Sequence, residues 1–188
     1  MKQIKKEEEY EKTFFMFLLS LSLMVSYAIA AELKVGDKAP DFKLQDSSNK
    51  EYTRNGPEFA GKVLYVNYQH ADSADLNNHV TDALKADKDI EQLVKEKKCE
   101  LLGIANLKGS WEPDAIIKVI IKRKQKQTGA IILLDTDYTF LNLWGLKNKD
   151  ANSILLDKDR IVRYIFKGKV PEGDIPKIKQ LIKEYSAK

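Results

Sequence analysis

Cysteine is nearly missing from this 188-residue chain, in which Cys99 stands alone. A single thiol forms no intramolecular disulfide and cannot run a two-cysteine redox cycle within the chain. Histidine is almost as scarce, with only His70 and His79, so an imidazole-rich metal site is excluded. Long apolar runs are missing too. The longest, FFMFLLSLSLMVSY at 14 to 27, falls short of the roughly 20 residues that a membrane-spanning helix needs. Nor is there a strong excess of one charge: 32 Lys and Arg face 28 Asp and Glu, a formal +4. That mild balance carries no argument for nucleic acid, which is not expected as a partner. Internal repeats and low-complexity segments are absent.

What is present begins with that apolar run. It follows Lys2, Lys5, Lys6 and Lys12, offset by Glu7, Glu8, Glu9 and Glu11, and ends in Ala28-Ile29-Ala30, the small-residue pattern that a signal peptidase accepts. Residues 1 to 30 are expected to be a signal peptide cleaved after Ala30, giving a periplasmic protein with no stable membrane span once cleaved. Removing 30 of 188 residues leaves 158, enough for one domain, 31 to 188, with a real core.

Along that domain, APDFKLQD (39 to 46) alternates apolar with polar and predicts a half-covered strand. VLYVNYQ (63 to 69) is β-branched and aromatic, which predicts a central strand. Asp72 or Ser73 is then expected to cap a helix carrying Leu76, Val80, Ala83 and Leu84, bent or broken near Asp87 and resumed with Ile90, Leu93 and Val94. Further strands are expected at 100 to 107, 130 to 135, 152 to 157 and 160 to 166, the last two joined as a hairpin by Asp157-Lys158-Asp159. Helices are expected after Ser110, Pro113 and Asp114 up to Gly129, around Phe140 to Trp144, and from Asp174 and Pro176 to the end. The sum is an α/β domain, a mixed sheet covered on both faces.

Val35-Gly36-Asp37-Lys38-Ala39-Pro40-Asp41-Phe42, followed by Gly61-Lys62-Val63 and Val66-Asn67-Tyr68, resembles the peroxiredoxin and TlpA-like branch of the thioredoxin superfamily. The resemblance implies a thioredoxin-like three-layer α/β/α sandwich with a C-terminal β-hairpin plus helix. It also implies where redox residues would stand. The reactive-cysteine position falls on Ser73, the second position of a C-x-x-C pair on Leu76, and the cis-proline position on Ala151. Trp144-Gly145-Leu146 and Leu155-Leu156-Asp157-Lys158-Asp159, with the cysteine-free loop, resemble most closely the YtfJ family of bacterial periplasmic proteins. That resemblance carries a fold and a compartment rather than a reaction.

The loop HADSAD supplies the candidate residues. Gln69, His70, Asp72, Ser73 and Asp75 form an expected ligand or partner loop, with Gln69, His70, Asp72 and Asp75 at least partly exposed. The plain reading makes Asp72 or Ser73 a cap, Asp75 a first-turn acid and His70 a polar loop residue. The sharper reading pairs Ser73 with His70 as nucleophile and base, or gathers His70, Asp75 and His79 around a divalent ion. Cys99 is expected to be buried as a small apolar residue, its alternative being a reactive thiol or a dimer disulfide. Lys118, Lys122, Arg123, Lys124 and Lys126 are read as a solvated helix end, the other reading being an anionic partner such as phospholipid head groups. Trp111 and Trp144 are read as packing residues.

The preferred expectation is therefore a redox-inactive binding or accessory module of the cell envelope, without a cofactor, whose partner is a periplasmic protein or small ligand. The rival is an enzyme: a thiol oxidoreductase using Cys99, or a hydrolytic or metal site in the loop from His70 to Asp75.

Overall fold

The run that begins at Val63 is an interior strand of a seven-stranded mixed sheet in the computed structural model, which describes residues 32–188. The expected signal peptide and its cleavage point lie outside the described residues. The strands are β1 (Lys43–Asp46), β2 (Glu51–Thr53), β3 (Val63–His70), β4 (Cys99–Asn106), β5 (Ile132–Asp135), β6 (Ala151–Leu156) and β7 (Val162–Lys167). They lie in the order β2-β1-β5-β4-β3-β6-β7. β3 runs parallel to β4 and β4 to β5, whereas β1, β6 and β7 pair antiparallel with their neighbours. The helices are α1 (Asn78–Lys85), α2 (Lys88–Lys95), α3 (Asp114–Thr128), α4 (Thr139–Leu143) and α5 (Ile175–Ala187).

The period of two along β3 divides the core. Leu64, Val66 and Tyr68 meet Phe42, Phe59, Phe140 and Trp144 on one face. Val63 and Tyr65 meet Val80, Leu84 and Ile90 of α1 and α2 and Ile178 and Ile182 of α5 on the other. α3 lays Ile117 and Ile121 against Leu107 and Leu134, with Ala105 and Ile132 packed beside them. Trp144 fulfils its packing role: it is fully buried, stands 4.3 Å from Phe140 between ring centroids, and its indole N–H donates to the Pro40 carbonyl at 3.2 Å. The three-layer thioredoxin-like architecture with its final hairpin and helix is thus observed.

Three details differ from expectation. β1 starts at Lys43 rather than Ala39, because Pro40 has no N–H for a ladder, and only Lys38 bridges to Ile161 before it. β2 has three residues, too few for a periodic signal. The helix expected to begin after Ser73 begins five residues later. Residues 71–73 form a single 3₁₀ turn, and α1 starts at Asn78 without a side-chain cap. The side chain that caps a helix in this region is Asp87, which accepts from the N–H groups of Asp89 and Ile90 at the start of α2. α3 ends where expected, at Gly129, whose φ of 68° suits a residue without Cβ.

Candidate functional site at the carboxyl ends of the parallel strands

β3, β4 and β5 end in register on three polar residues: His70 faces Asn106, and Asn106 faces Asp135. All three are buried. Parallel strands present their carboxyl ends together, and this is where open α/β sheets hold ligands. The loops that follow these strands, 71–77, 107–113 and 136–138, together with 147–150 before β6, form the candidate site.

His70 organises it, and not as a loop residue. β3 runs one residue further than expected, so His70 follows Leu64, Val66 and Tyr68 onto an inward face and is only 1% exposed. The expected exposure is corrected for His70. It holds for Gln69, which is half-buried, and for Asp72 and Asp75, which are exposed. His70 Nδ1 accepts from the Asp72 N–H at 3.3 Å, which leaves the proton on Nε2 to donate to the Lys108 carbonyl at 3.2 Å. The Tyr138 hydroxyl donates to the same carbonyl at 2.9 Å. One carbonyl of the β4 loop therefore ties the loops after β3 and β5.

The other loop side chains fasten neighbouring loops rather than facing one another. Ser73 Oγ donates to the Lys149 carbonyl at 3.3 Å, and Ser110 Oγ donates to Asp72 Oδ1 at 2.6 Å. Asp75 accepts from the Asn78 side-chain amide at 2.7 Å. His79 turns to the Val170 carbonyl at 2.8 Å. The nucleophile–base pair of Ser73 and His70 is not assembled, and His70, Asp75 and His79 do not converge as ligands. Among the described residues no three His, Cys, Asp or Glu side chains gather as a metal site.

Two of the five non-glycine residues with positive φ among the described residues border the same loops. Tyr138 and Lys149 have φ of 66° and 55°, left-handed values that cost a non-glycine residue about 1 kcal/mol or more. Gly109 has φ of 75°, and a Cβ there would come within 2.9 Å of the Tyr138 hydroxyl, so a larger residue would strain the backbone and push Tyr138 away from Lys108.

Beneath the loops lies a residue that the sequence reading missed. Asp135 Oδ2 accepts from the Tyr68 hydroxyl at 2.9 Å and from the Leu141 N–H at 3.0 Å. Its Oδ1 is buried with no hydrogen-bond partner among the described residues. Burial raises the Asp135 carboxyl above its ordinary value, against the bonds from Leu141 and Tyr68 that lower it. Asn106 was missed as well; its side-chain oxygen accepts from the Lys108 N–H at 3.0 Å. Both residues terminate apolar runs, the one sequence feature that could have pointed to them.

The positions that would carry redox chemistry are ordinary here. Ser73 closes the 3₁₀ turn, Leu76 is half-buried, and Ala151 opens β6 opposite Gln69, fully buried. The Ser73 bond to Lys149 brings the first of these beside the segment leading to the last. Cys99 sits at the far end of the sheet, paired with Val63, whereas His70 pairs with Asn106 seven residues on. At about 3.3 Å per residue the two ends are roughly 23 Å apart. Cys99 is buried as expected, among Val63, Leu84 and Ile90. Burial first, and then Glu100, push its thiol up to about 12.

No family model matches the chain. A protein of Haemophilus influenzae described only as uncharacterized is 28% identical over 134 residues, spanning 66% of this chain and 67% of that one. Among solved structures, a protein assigned as thiol:disulfide interchange protein DsbE from Chlorobium tepidum superposes with a TM-score of 0.60 and 20% identity, covering 82% of this chain and 99% of that one. A thiol peroxidase from Chromobacterium violaceum gives 0.56 and 15%, over 83% and 90%. The exposed lipoprotein thioredoxin of Streptococcus pneumoniae gives 0.54 and 18%, over 77% and 99%. At these identities the likeness defines the fold alone, which is thioredoxin-like.

Proposed function

We propose that this is an exported thioredoxin-fold protein of the cell envelope, similar to the YtfJ family, that binds a partner without thiol chemistry. The observation that carries this reading is the placement of Cys99. The lone thiol is enclosed in the apolar core at the opposite end of the sheet from the loops, and its raised pKa leaves almost no thiolate at neutral pH. The loop end keeps a rigid set of exposed polar groups, Asp72 and Asp75 among them, held by bonds between loops rather than arranged for attack on a substrate. The apolar run at 14 to 27 and Ala28-Ile29-Ala30 support export. Trp144-Gly145-Leu146 and the LDKD turn support the YtfJ likeness.

The test has two arms. The protein should not reduce insulin or consume peroxide with thiol donors above the uncatalysed rate, and turnover that vanishes in Cys99→Ser overturns the reading. In affinity capture from a periplasmic extract, Asp72→Ala with Asp75→Ala should weaken retention of the partner while leaving the unfolding midpoint nearly unchanged. Undiminished retention places the binding face elsewhere.

A further inference from the structure

The outward face of α3 is unlike the other helix surfaces. Of the five large apolar side chains exposed among the described residues, four lie on or just before it: Trp111 at 78%, Ile116 at 48%, Val119 at 59% and Ile120 at 58%. Ile116, Val119 and Ile120 are three and four residues apart and so form one stripe. They are additional to Ile117 and Ile121, which already face the core. The sequence reading placed Trp111 in the packing, and the structure corrects this: the side chain projects from the loop before the helix with no aromatic neighbour.

The cations of this helix are equally unpartnered. Lys122, Arg123, Lys124 and Lys126 are exposed and make no ion pair with any described residue, whereas Lys179 and Lys183 of α5 both reach Asp87. At roughly 100° per residue, Lys122 and Lys126 lie along one flank of the stripe, Lys124 along the other, and Arg123 continues it toward the C-terminus. The acids of the segment, Glu112 and Asp114, stand together at its start.

We propose that this face docks α3 lengthwise on an anionic phospholipid bilayer. An exposed apolar stripe bordered by free cations on both flanks is complementary in charge to a lipid surface carrying negative head groups. A single helix face that turns its apolar side chains outward suits a fluid surface better than a rigid protein. Long lysine stems lie along apolar surface while their ammonium groups reach the phosphates, and an indole such as that of Trp111 favours the boundary between head groups and acyl chains. The 15 residues of α3 give a contact about 22 Å long.

The test uses the full chain and reads Trp111, since Trp144 is buried and Trp111→Phe supplies the blank. Brominated acyl chains are placed in vesicles of equal parts phosphatidylglycerol and phosphatidylcholine, or of phosphatidylcholine alone. Trp111 emission should shift to the blue and be quenched on the anionic vesicles only, independently of any attachment through residues 14 to 27. Replacing Lys122, Lys124 and Lys126 by Gln should weaken this docking about fivefold per cation removed. Ile116→Gln with Val119→Gln and Ile120→Gln should abolish the quenching, and both variants should keep the wild-type unfolding midpoint. Three results overturn the proposal: an unmoved Trp111 on anionic vesicles, equal quenching on neutral vesicles, or full quenching in the triple isoleucine-valine variant. A Trp111 shift with soluble polyglutamate but not with vesicles assigns the face to an acidic polypeptide. A concentration-dependent dimer lost in that variant assigns it to a second copy. Either of these also overturns the proposal.

Discussion

The two ends of β3 solve opposite problems. At its start, Val63 and Cys99 lie in apolar packing, flanked by the largely buried Lys62–Glu100 ion pair at 2.7 Å, and the turn beside them holds a buried cation. Arg160, at the β6–β7 turn, donates to the carbonyls of Arg54, Phe59, Lys62 and Asp157. At its other end, three buried polar residues in a row anchor loops whose surface is polar apart from Trp111. One end spends its hydrogen bonds on closure and the other on holding loops in a fixed shape. The lone cysteine lies in the first environment; in the second, at the position where the resemblance implies a reactive thiol, this chain has Ser73.

The comparison is tested most severely by Arg160→Met. Removing the guanidinium strands several buried carbonyls at about 1–3 kcal/mol each, partly offset by relief of a desolvated charge, so a net loss of about 3 kcal/mol is expected in urea unfolding. A loss below about 1 kcal/mol would mean that the closed end is held by packing alone. Cys99→Ser comes next: an unpartnered hydroxyl in that core should cost about 1–3 kcal/mol, with a loss smaller than about 0.5 kcal/mol indicating that the site is wetter than its burial suggests.

Asp135 sharpens the contrast through pH. Its folded carboxyl binds a proton more tightly than the unfolded one, because burial raises it. The stability this contributes is full below the unfolded value near 3.9 and is lost as pH rises through the higher folded value. Unfolding midpoints followed upward from pH 4 should therefore fall more steeply in the wild type than in Asp135→Asn, which keeps an acceptor for Tyr68 and Leu141. Parallel curves would show that the folded carboxyl binds its proton no more tightly than the unfolded one. The smallest effect is expected for Ser73→Ala, whose half-exposed hydroxyl bond at 3.3 Å should contribute no more than about 0.5 kcal/mol. Asp87→Ala, which removes a true cap, should lose about 1 kcal/mol. Reversal of that order would restore Ser73 as a structural cap.

Much of this was legible in the sequence, wherever local pattern and tertiary environment agree. β3, β4 and β5 appeared as apolar runs, α3 was bracketed by Pro113 and Gly129, and Asp157-Lys158-Asp159 marked the hairpin. The helix start was misplaced because HADSAD looks like a cap. The chain instead delays the helix so that Asn77 can turn inward, where its side chain bonds the Gly168 carbonyl at 3.0 Å and the Val170 N–H at 2.9 Å, partners more than ninety residues away. No local pattern announces such a bond. His70 was misjudged by a single residue of strand length, since period two then reverses its side. The row of His70, Asn106 and Asp135 depends on strand register, which one sequence does not reveal. The exposed stripe of α3 was hidden for another reason: its apolar residues spread over more than half of the helix circumference, so the part that packs cannot be told from the part that does not.

The segment before β1 has a further consequence, which concerns self-association. Gly36 N–H donates to the Val162 carbonyl, Val162 N–H to the Asp37 carbonyl and Ala39 N–H to the Arg160 carbonyl, each at 2.9 Å, so residues 36–39 lie against the open margin of β7. The opposite margin, β2, is only three residues long. Arg163 and Lys167 charge what is left of β7 and are themselves held by Asp157 and Glu32. A sheet blunted in this way offers little template for a foreign strand. A macromolecule that recognises this protein is therefore expected to read side chains rather than add a strand, and shortening the chain past residue 39 should bare a margin on which copies polymerise.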